Sequence, residues 1–374
     1  MKIYIGADFV PTASNEDLFV KADTEKLFGQ ELFALLKNNF CIFNLEVPLT
    51  NAESPIKKCG PTLVAKRETV NTYKALDVNI LSIANNHIMD QGEQGLRSTT
   101  EVLNENNIAF LGAGKNLDEA SKPYIFELND KKIGVYACAE HEFSVAEKEK
   151  CGANPFNALE SLDHITNLKK ECNYVIVLYH GGKEHYRYPS PNLKKICEKI
   201  AEKGADLIVC QHSHCVGCEE DYNGSKIIYG QGNFLFDHNT SEFWKTSLLI
   251  EIDEEFNISY IPLVKADNAV RLANEADSRN IITAFASRSE EIKNDSFVND
   301  KYSEFASSAL NSYLFNLSGI KRTFSFKVLN KVTKGRYSKW IINKKYKEKK
   351  LLMLQNYIEC EAHRELLLKG VKNK

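Results

Sequence analysis

No stretch of this 374-residue chain approaches the roughly 20 consecutive apolar residues that a membrane-spanning helix needs. The opening run, Ile3-Tyr4-Ile5 ahead of Gly6-Ala7-Asp8, is too short for the core of a secretory signal. There is no internal repeat, and nothing resembles a nucleic-acid-binding module. The 10 cysteines form no disulfide framework, because Cys41, Cys138 and Cys210 sit inside apolar runs where a free thiol behaves as a small hydrophobe. Cys215-Val216-Gly217-Cys218 has no second C-x-x-C to complete a four-cysteine zinc site. It reads as a loop coincidence or as a source of thiolates beside His212 and His214. These absences predict a cytoplasmic protein.

What is present suits a globular fold, with 43% hydrophobic and 26% charged residues. The net charge of −2 hides an asymmetry. Residues 330–374 hold 13 Lys and Arg against 4 Glu, which leaves −11 on the first 329. Short apolar runs at Ile3–Ile5, Cys41–Asn44, Ile80–Ala84, Ile108–Leu111, Ile133–Cys138, Tyr174–Tyr179, Leu207–Cys210 and Ile227–Tyr229 alternate with helical patterns at Thr24–Asn38, Gly92–Asn106, Ala158–Lys170 and Pro191–Lys203. That alternation predicts an α/β fold with buried strands. Thr246–Ile252 and Asn257–Leu263 read as strands that close a second sheet. Beyond residue 267 the pattern turns polar and helical, which predicts domains at 1–267 and 268–374, the latter a helical and basic extension. Its lysines and aromatics suit a contact with a membrane surface at the inner face, or with a protein complex.

Five polar clusters sit where apolar runs end: Asp8, Asn44-Leu45-Glu46, Asn85-Asn86-His87, His180 and Gln211-His212-Ser213-His214. Side chains from several elements converge at the carboxyl ends of strands in α/β sheets. Each cluster alone has a structural explanation, as a turn, a cap or a hydrogen-bonded core histidine. Together they mix carboxylate, imidazole and amide, the donors that hard and borderline divalent ions take. His212 and His214, two apart on extended chain, would point to one side. Gly112-Ala113-Gly114 is a weak phosphate-cradle signal. His141, His164, His238 and His363 read as surface or structural.

In order along the chain, Asp8, Asn44-Leu45-Glu46, Ala84-Asn85-Asn86-His87 with Asp90, Gly92 and Gly95, Gly112–Leu117 through Lys122-Pro123, His180 with Glu184, Gln211-His212-Ser213-His214, and Tyr229–Asp237 resemble the pattern of the capsule-synthesis CapA family. The resemblance implies a calcineurin-like metallophosphoesterase fold, a β-sandwich of two mixed sheets flanked by helices. It implies one or two divalent ions (Mn, Fe, Zn or Mg), with Asp8 and His214 on the first, Asn86, His180 and His212 on the second, and Glu46 bridging. His87 would face the substrate, with Glu46 the other catalytic group. Asn44, Glu184 and Asn233 would stand in substrate or secondary positions. Val10 occupies the place where such enzymes carry a further histidine ligand, which implies one ion or a weak second one. Gly181 and His185 replace a tryptophan and a tyrosine common in relatives, which widens the pocket mouth.

The implied activity is a metal-dependent, phosphoesterase-type hydrolase acting on an anionic or phosphorylated precursor of a capsule or other surface polymer, poly-γ-glutamate or polysaccharide. A non-catalytic metal-binding accessory of a synthesis or export complex, and an amide hydrolase, are the alternatives.

Overall fold

Side chains alternate faces along an extended strand. In the strand Ile3–Val10, Ile3 and Ile5 enter one core while Tyr4 enters another. Phe9 joins Tyr4 rather than Ile3, because the pairing register with the strand Phe40–Asn44 shifts between Ile5 and Asp8 and so exchanges the two faces. That irregularity immediately precedes the buried Asp8. The computed structural model describes residues 1–237 and 241–373, and His238 lies outside them.

Two mixed sheets form the frame. The first runs in the order Ala269–Leu272, Ile258–Ala266, Thr246–Ile252, Ile3–Val10, Phe40–Asn44, Ile80–Ser82, Ala109–Leu111, and Leu235–Phe236 pairs with Ile3–Val10 off this path. Its last four strands are parallel and its first three antiparallel. Thr246–Ile252 and Ile258–Ala266 therefore extend the sheet that holds Ile3–Val10, instead of closing a second one as expected. The second sheet runs Glu219–Tyr222, Ser225–Ile228, Leu207–Gln211, Tyr174–His180, Lys131–Ala139, Tyr124–Leu128, with parallel strands at its centre and antiparallel ones at both edges.

Ile5, Ile42, Ile80, Val135, Ile176, Leu178, Leu207, Val209 and Ile250 from both sheets share the core between them. The opposite faces are covered by helices. Val175, Val177 and Ile208 meet Ile165 and Leu168 of the helix Ser161–Glu171 and Cys197 and Ile200 of Pro191–Glu202. Strands buried on both faces explain the near-continuous apolar runs of the sequence. The expected sandwich of two mixed sheets flanked by helices is the architecture found, together with a helical C-terminal region.

The chain forms two compact units, Met1–Val298 and Asn299–Lys374, with the division inside the helix Asp295–Leu317. Composition alone suggests 267/268. The helix Glu275–Glu291, polar overall, still buries Ile281 and Phe285 against Val216 and Leu248, which ties it to the first unit. Among the described residues no helix is long and apolar enough to cross a membrane.

Phe9 centres the outer core of the first sheet, its ring 4.7–5.7 Å from those of Phe19, Phe28, Phe43, Tyr73 and Phe234. Phe9→Ala should cost about 3–5 kcal/mol in urea unfolding. A cost below about 1 kcal/mol would show that the layer does not depend on this ring.

Candidate metal centre

The two sheets bring their strand ends together, and five separated stretches of chain meet there. Asp8 lies inside the strand Ile3–Val10, just after its register shift, rather than at a strand end as expected. Asn44 closes its strand, and Glu46 follows two residues on. Asn86 and His87 follow Ile80–Ser82, and His180 is the last residue of Tyr174–His180. His212 and His214 follow Leu207–Gln211. Their backbone is not extended, contrary to expectation: φ is 118° at His212 and 54° at His214, a region unfavourable for side chains with a Cβ. Both rings nevertheless reach the same cluster, His212 with its centroid 4.8 Å from His180 and 5.9 Å from His214.

Around His180 Nε2 lie His212 Nδ1 at 3.0 Å, Asn86 Oδ1 at 3.1 Å and Glu46 Oε1 at 3.2 Å. Asn86 Oδ1 and Glu46 Oε1 are acceptors, and the single proton His180 Nε2 can carry does not serve both in full. Next to this group, His214 Nδ1 lies 3.1 Å from Asp8 Oδ2 and 2.8 Å from Asn233 Oδ1, while Asn44 Nδ2 donates to Asp8 Oδ1 at 2.6 Å. Asn44 Nδ2 is also 3.4 Å from His180 Nδ1.

Glu46 belongs to both sets of potential ligands, with His180 and His212 on one side and Asp8 and His214 on the other. Its side chain is fully buried, and neither carboxylate oxygen has a hydrogen-bond partner of adequate geometry, the nearby His180 nitrogen included. A buried carboxylate without donors is costly. A divalent cation would meet that demand, and the mixture of carboxylate, imidazole and amide oxygen fits one. The exposed Glu184 forms a third set with His212 and His214.

The protonation pattern follows from the crowding. Burial opposes charge on Asp8, yet the His214 hydrogen bond and neighbouring imidazoles hold its carboxyl below the usual range. Burial likewise opposes a proton on His214, but Asp8 and Glu46 outweigh it and raise the ring to about 9. At His180, burial is again opposed, chiefly by Glu46, and the result is a raised value. His212 is pushed well down, by burial first and then by His180 and His214. Without a metal, both shifts favour a proton on His180 and on His214, the rings that face the two carboxylates.

His87 stands beside this cluster, its Nδ1 2.6 Å from Asp90 Oδ2. Lys58 Nζ donates to Asp90 Oδ1 at 2.7 Å and to the Asn86 carbonyl at 3.1 Å, with both charged side chains buried. In the sequence Asp90 stands out only as part of a motif. Lys58 does not stand out at all, since it lies in an irregular stretch with no apolar periodicity to mark it. Lys265 is equally unmarked. It donates to the Asn233 carbonyl, and burial of its amine lowers it to about 7 although Asp8 pulls the other way.

An aromatic wall has no sequence signal either. Trp244 lies 4.5 Å from the His214 ring and 4.7 Å from Phe236, and its Nε1 donates to His185 Nε2 at 2.8 Å.

Other candidates resolve structurally. Cys215 and Cys218 are fully buried, burial pushes the Cys215 thiol up to about 11, and neither joins a ligand set among the described residues. Gly112 serves close packing, not a phosphate: a Cβ there would lie 2.6 Å from that of Ala84 and 2.9 Å from that of Ala137. His141 and His363 are exposed, and His164 meets the Tyr136 hydroxyl at 3.3 Å.

A two-sheet α/β frame with potential cation ligands gathered at its strand ends defines the class of this protein. Within that class the chain belongs to the family described as bacterial capsule synthesis protein PGA_cap, whose model matches residues 3–238. It is 31% identical over 234 residues to the PGA biosynthesis protein CapA of Bacillus subtilis, covering 59% of this chain and 60% of that one. With the capsule biosynthesis protein CapA of Bacillus anthracis it shares 30% over 195 residues, 50% of this chain and 47% of that one. The chain thus spans about half to three-fifths of the length of these relatives. Among solved structures, a phosphatase from Mycoplasma pneumoniae aligns with a TM-score of 0.43 at 17% identity over 71% of this chain and 94% of that one. A 5′-nucleotidase precursor from Thermus thermophilus aligns at 0.41 and 12%, over 77% and 58%.

The raised His214 value sets a pH dependence. Its folded pKa exceeds the ordinary 6.5, so its pairing with Asp8 contributes stability in full below that pH and loses it as pH rises through about 9. With metal removed by chelation, the urea midpoint should fall across this window, and the fall should flatten in His214→Asn. The same slope in that variant would refute the assignment.

Proposed function

We propose that the chain is a metal-dependent hydrolase of the phosphoesterase type, acting on an anionic or phosphorylated precursor of a capsule or other surface polymer. The observation that carries this reading is Glu46, a fully buried carboxylate that accepts no hydrogen bond and has His180 alone as a charged neighbour in contact, at the junction of two sets of ligands. Asp8 and His214 would hold a first divalent ion, Asn86, His180 and His212 a second, and Glu46 would serve both. When bound, such ions supply a low-pKa water and neutralise the oxygens of a phosphate-like group.

The chain's own residues do the rest. His87 lies beside the cluster with its Nδ1 fixed by Asp90, which suits it to protonate a leaving group or hold developing charge. Lys58, paired with Asp90 through its other oxygen, anchors that dyad. Asn44 orients Asp8, while Asn233 orients His214. Glu184, exposed and within reach of His212 and His214, would serve as a substrate or secondary group. Membership of a capsule-synthesis family, and the name of the Bacillus subtilis relative, support a polymer such as poly-γ-glutamate, or a polysaccharide, as the source of the substrate.

A second reading has its own observation. Val10, where a further histidine would add a ligand, is buried and apolar. One ion or none at the first position would suit a metal-binding accessory of a synthesis or export complex.

Asp8→Ala, Glu46→Ala and His212→Ala should each lose bound metal, measured by elemental analysis, and lower turnover of a generic phosphate ester by about 100-fold or more. His87→Ala should keep its metal and lose about 10²–10⁴ in kcat. Wild-type metal and activity in the first three variants would remove the hydrolase reading. Metal binding without turnover of phosphate esters would leave the accessory reading, and turnover of a γ-glutamyl amide alone would make the enzyme an amide hydrolase.

A further inference from the structure

The second unit, Asn299–Lys374, exposes more apolar side chain than any other part of the chain. The helix Phe324–Val332 shows how this arises. Phe326 turns inward, its ring 5.0 Å from Phe315 and 5.6 Å from Tyr337, within a small core that includes Leu314 and Ile342. Phe324, Val328 and Val332, spaced four apart, form one stripe along the outer surface. They are 83%, 46% and 74% exposed. Lys327 and Lys331 flank that stripe and are exposed too. On the following helix, Arg336–Lys345, Trp340 is 59% exposed with Lys344 Nζ 5.4 Å from its ring centre.

From residue 321 to 350 there are 12 Lys and Arg, and Glu348 is the sole acidic residue. No carboxylate among the described residues pairs with Lys327, Lys331, Lys334, Arg336 or Lys339. A polyanion in solution would answer these charges but leave the stripe in water. A second copy of the helix would cover the stripe but bring like charges together. An anionic bilayer meets both demands, because its headgroups attract the cations while the acyl boundary accepts the apolar side chains. No described helix is long and apolar enough to cross, so the contact is one of lying on the surface.

We propose that this unit docks on an anionic membrane surface, with Phe324, Val328, Val332 and Trp340 entering the interface and the surrounding lysines contacting lipid headgroups. The docking does not rest on the chemistry assigned to Glu46 and its neighbours.

The test uses the full chain and co-sedimentation with phosphatidylcholine vesicles, with and without phosphatidylserine. Binding should require phosphatidylserine and weaken as salt is raised. Lys327→Glu with Lys331→Glu should lower partitioning by roughly 10-fold or more. Phe324→Ser with Val332→Ser should do the same at unchanged helicity in circular dichroism. Should the apolar pair lose helicity, the charge pair decides. Equal binding to both vesicle types, or binding unaltered by the charge pair, would overturn the proposal. So would a concentration-dependent dimer that is abolished by the serine pair and binds no vesicles, since the face would then belong to a second copy.

Discussion

The carboxylate of Glu46 lies in the interior with no hydrogen bond to either oxygen and only the His180 ring in ion-pair contact, and the surrounding geometry answers that one demand. Three more acceptor-bearing groups, Asn86, His180 and His212, crowd the same point, and Asp8 brings a second carboxylate close by. The raised values at His180 and His214, beside a depressed His212, are the compromise reached when imidazoles must supply the missing positive charge. The strained backbone at His212 and His214 belongs to the same account, since conformations of this kind persist only where the surroundings over-determine them.

Much of this was legible because buried strands write themselves as apolar runs. Glu46, Asn86, His180 and the His212/His214 pair each follow such a run, and the sheets carry those ends to one place. Asp8 was legible by position but not by mechanism. Its run reads as three residues, whereas the strand continues through it to Val10, and the register shift that exchanges the two faces leaves no trace in composition. Lys58 and Lys265 were invisible for a different reason. One comes from an irregular segment and the other from near the end of the strand Ile258–Ala266, so their roles depend on tertiary contact and not on local pattern.

The same contrast separates the two units. Polar composition beyond residue 267 reads as a new domain, yet a few buried side chains, Ile281 and Phe285 foremost, hold the first of those helices to the sandwich. Helix content was legible there, and attachment was not. Single apolar residues on polar helices decide where a compact unit ends, and averages over a window dilute them.

The ligand sets draw on both sheets: Asp8, Glu46 and Asn86 from the strands and loops of one, His180, His212 and His214 from those of the other. An ion gripped by both would act as a rivet through the sandwich, resisting any sliding or splaying of one layer against its neighbour. Metal affinity and mechanical cohesion would then be one quantity expressed in two ways, because whatever opens the layers must first release the ion.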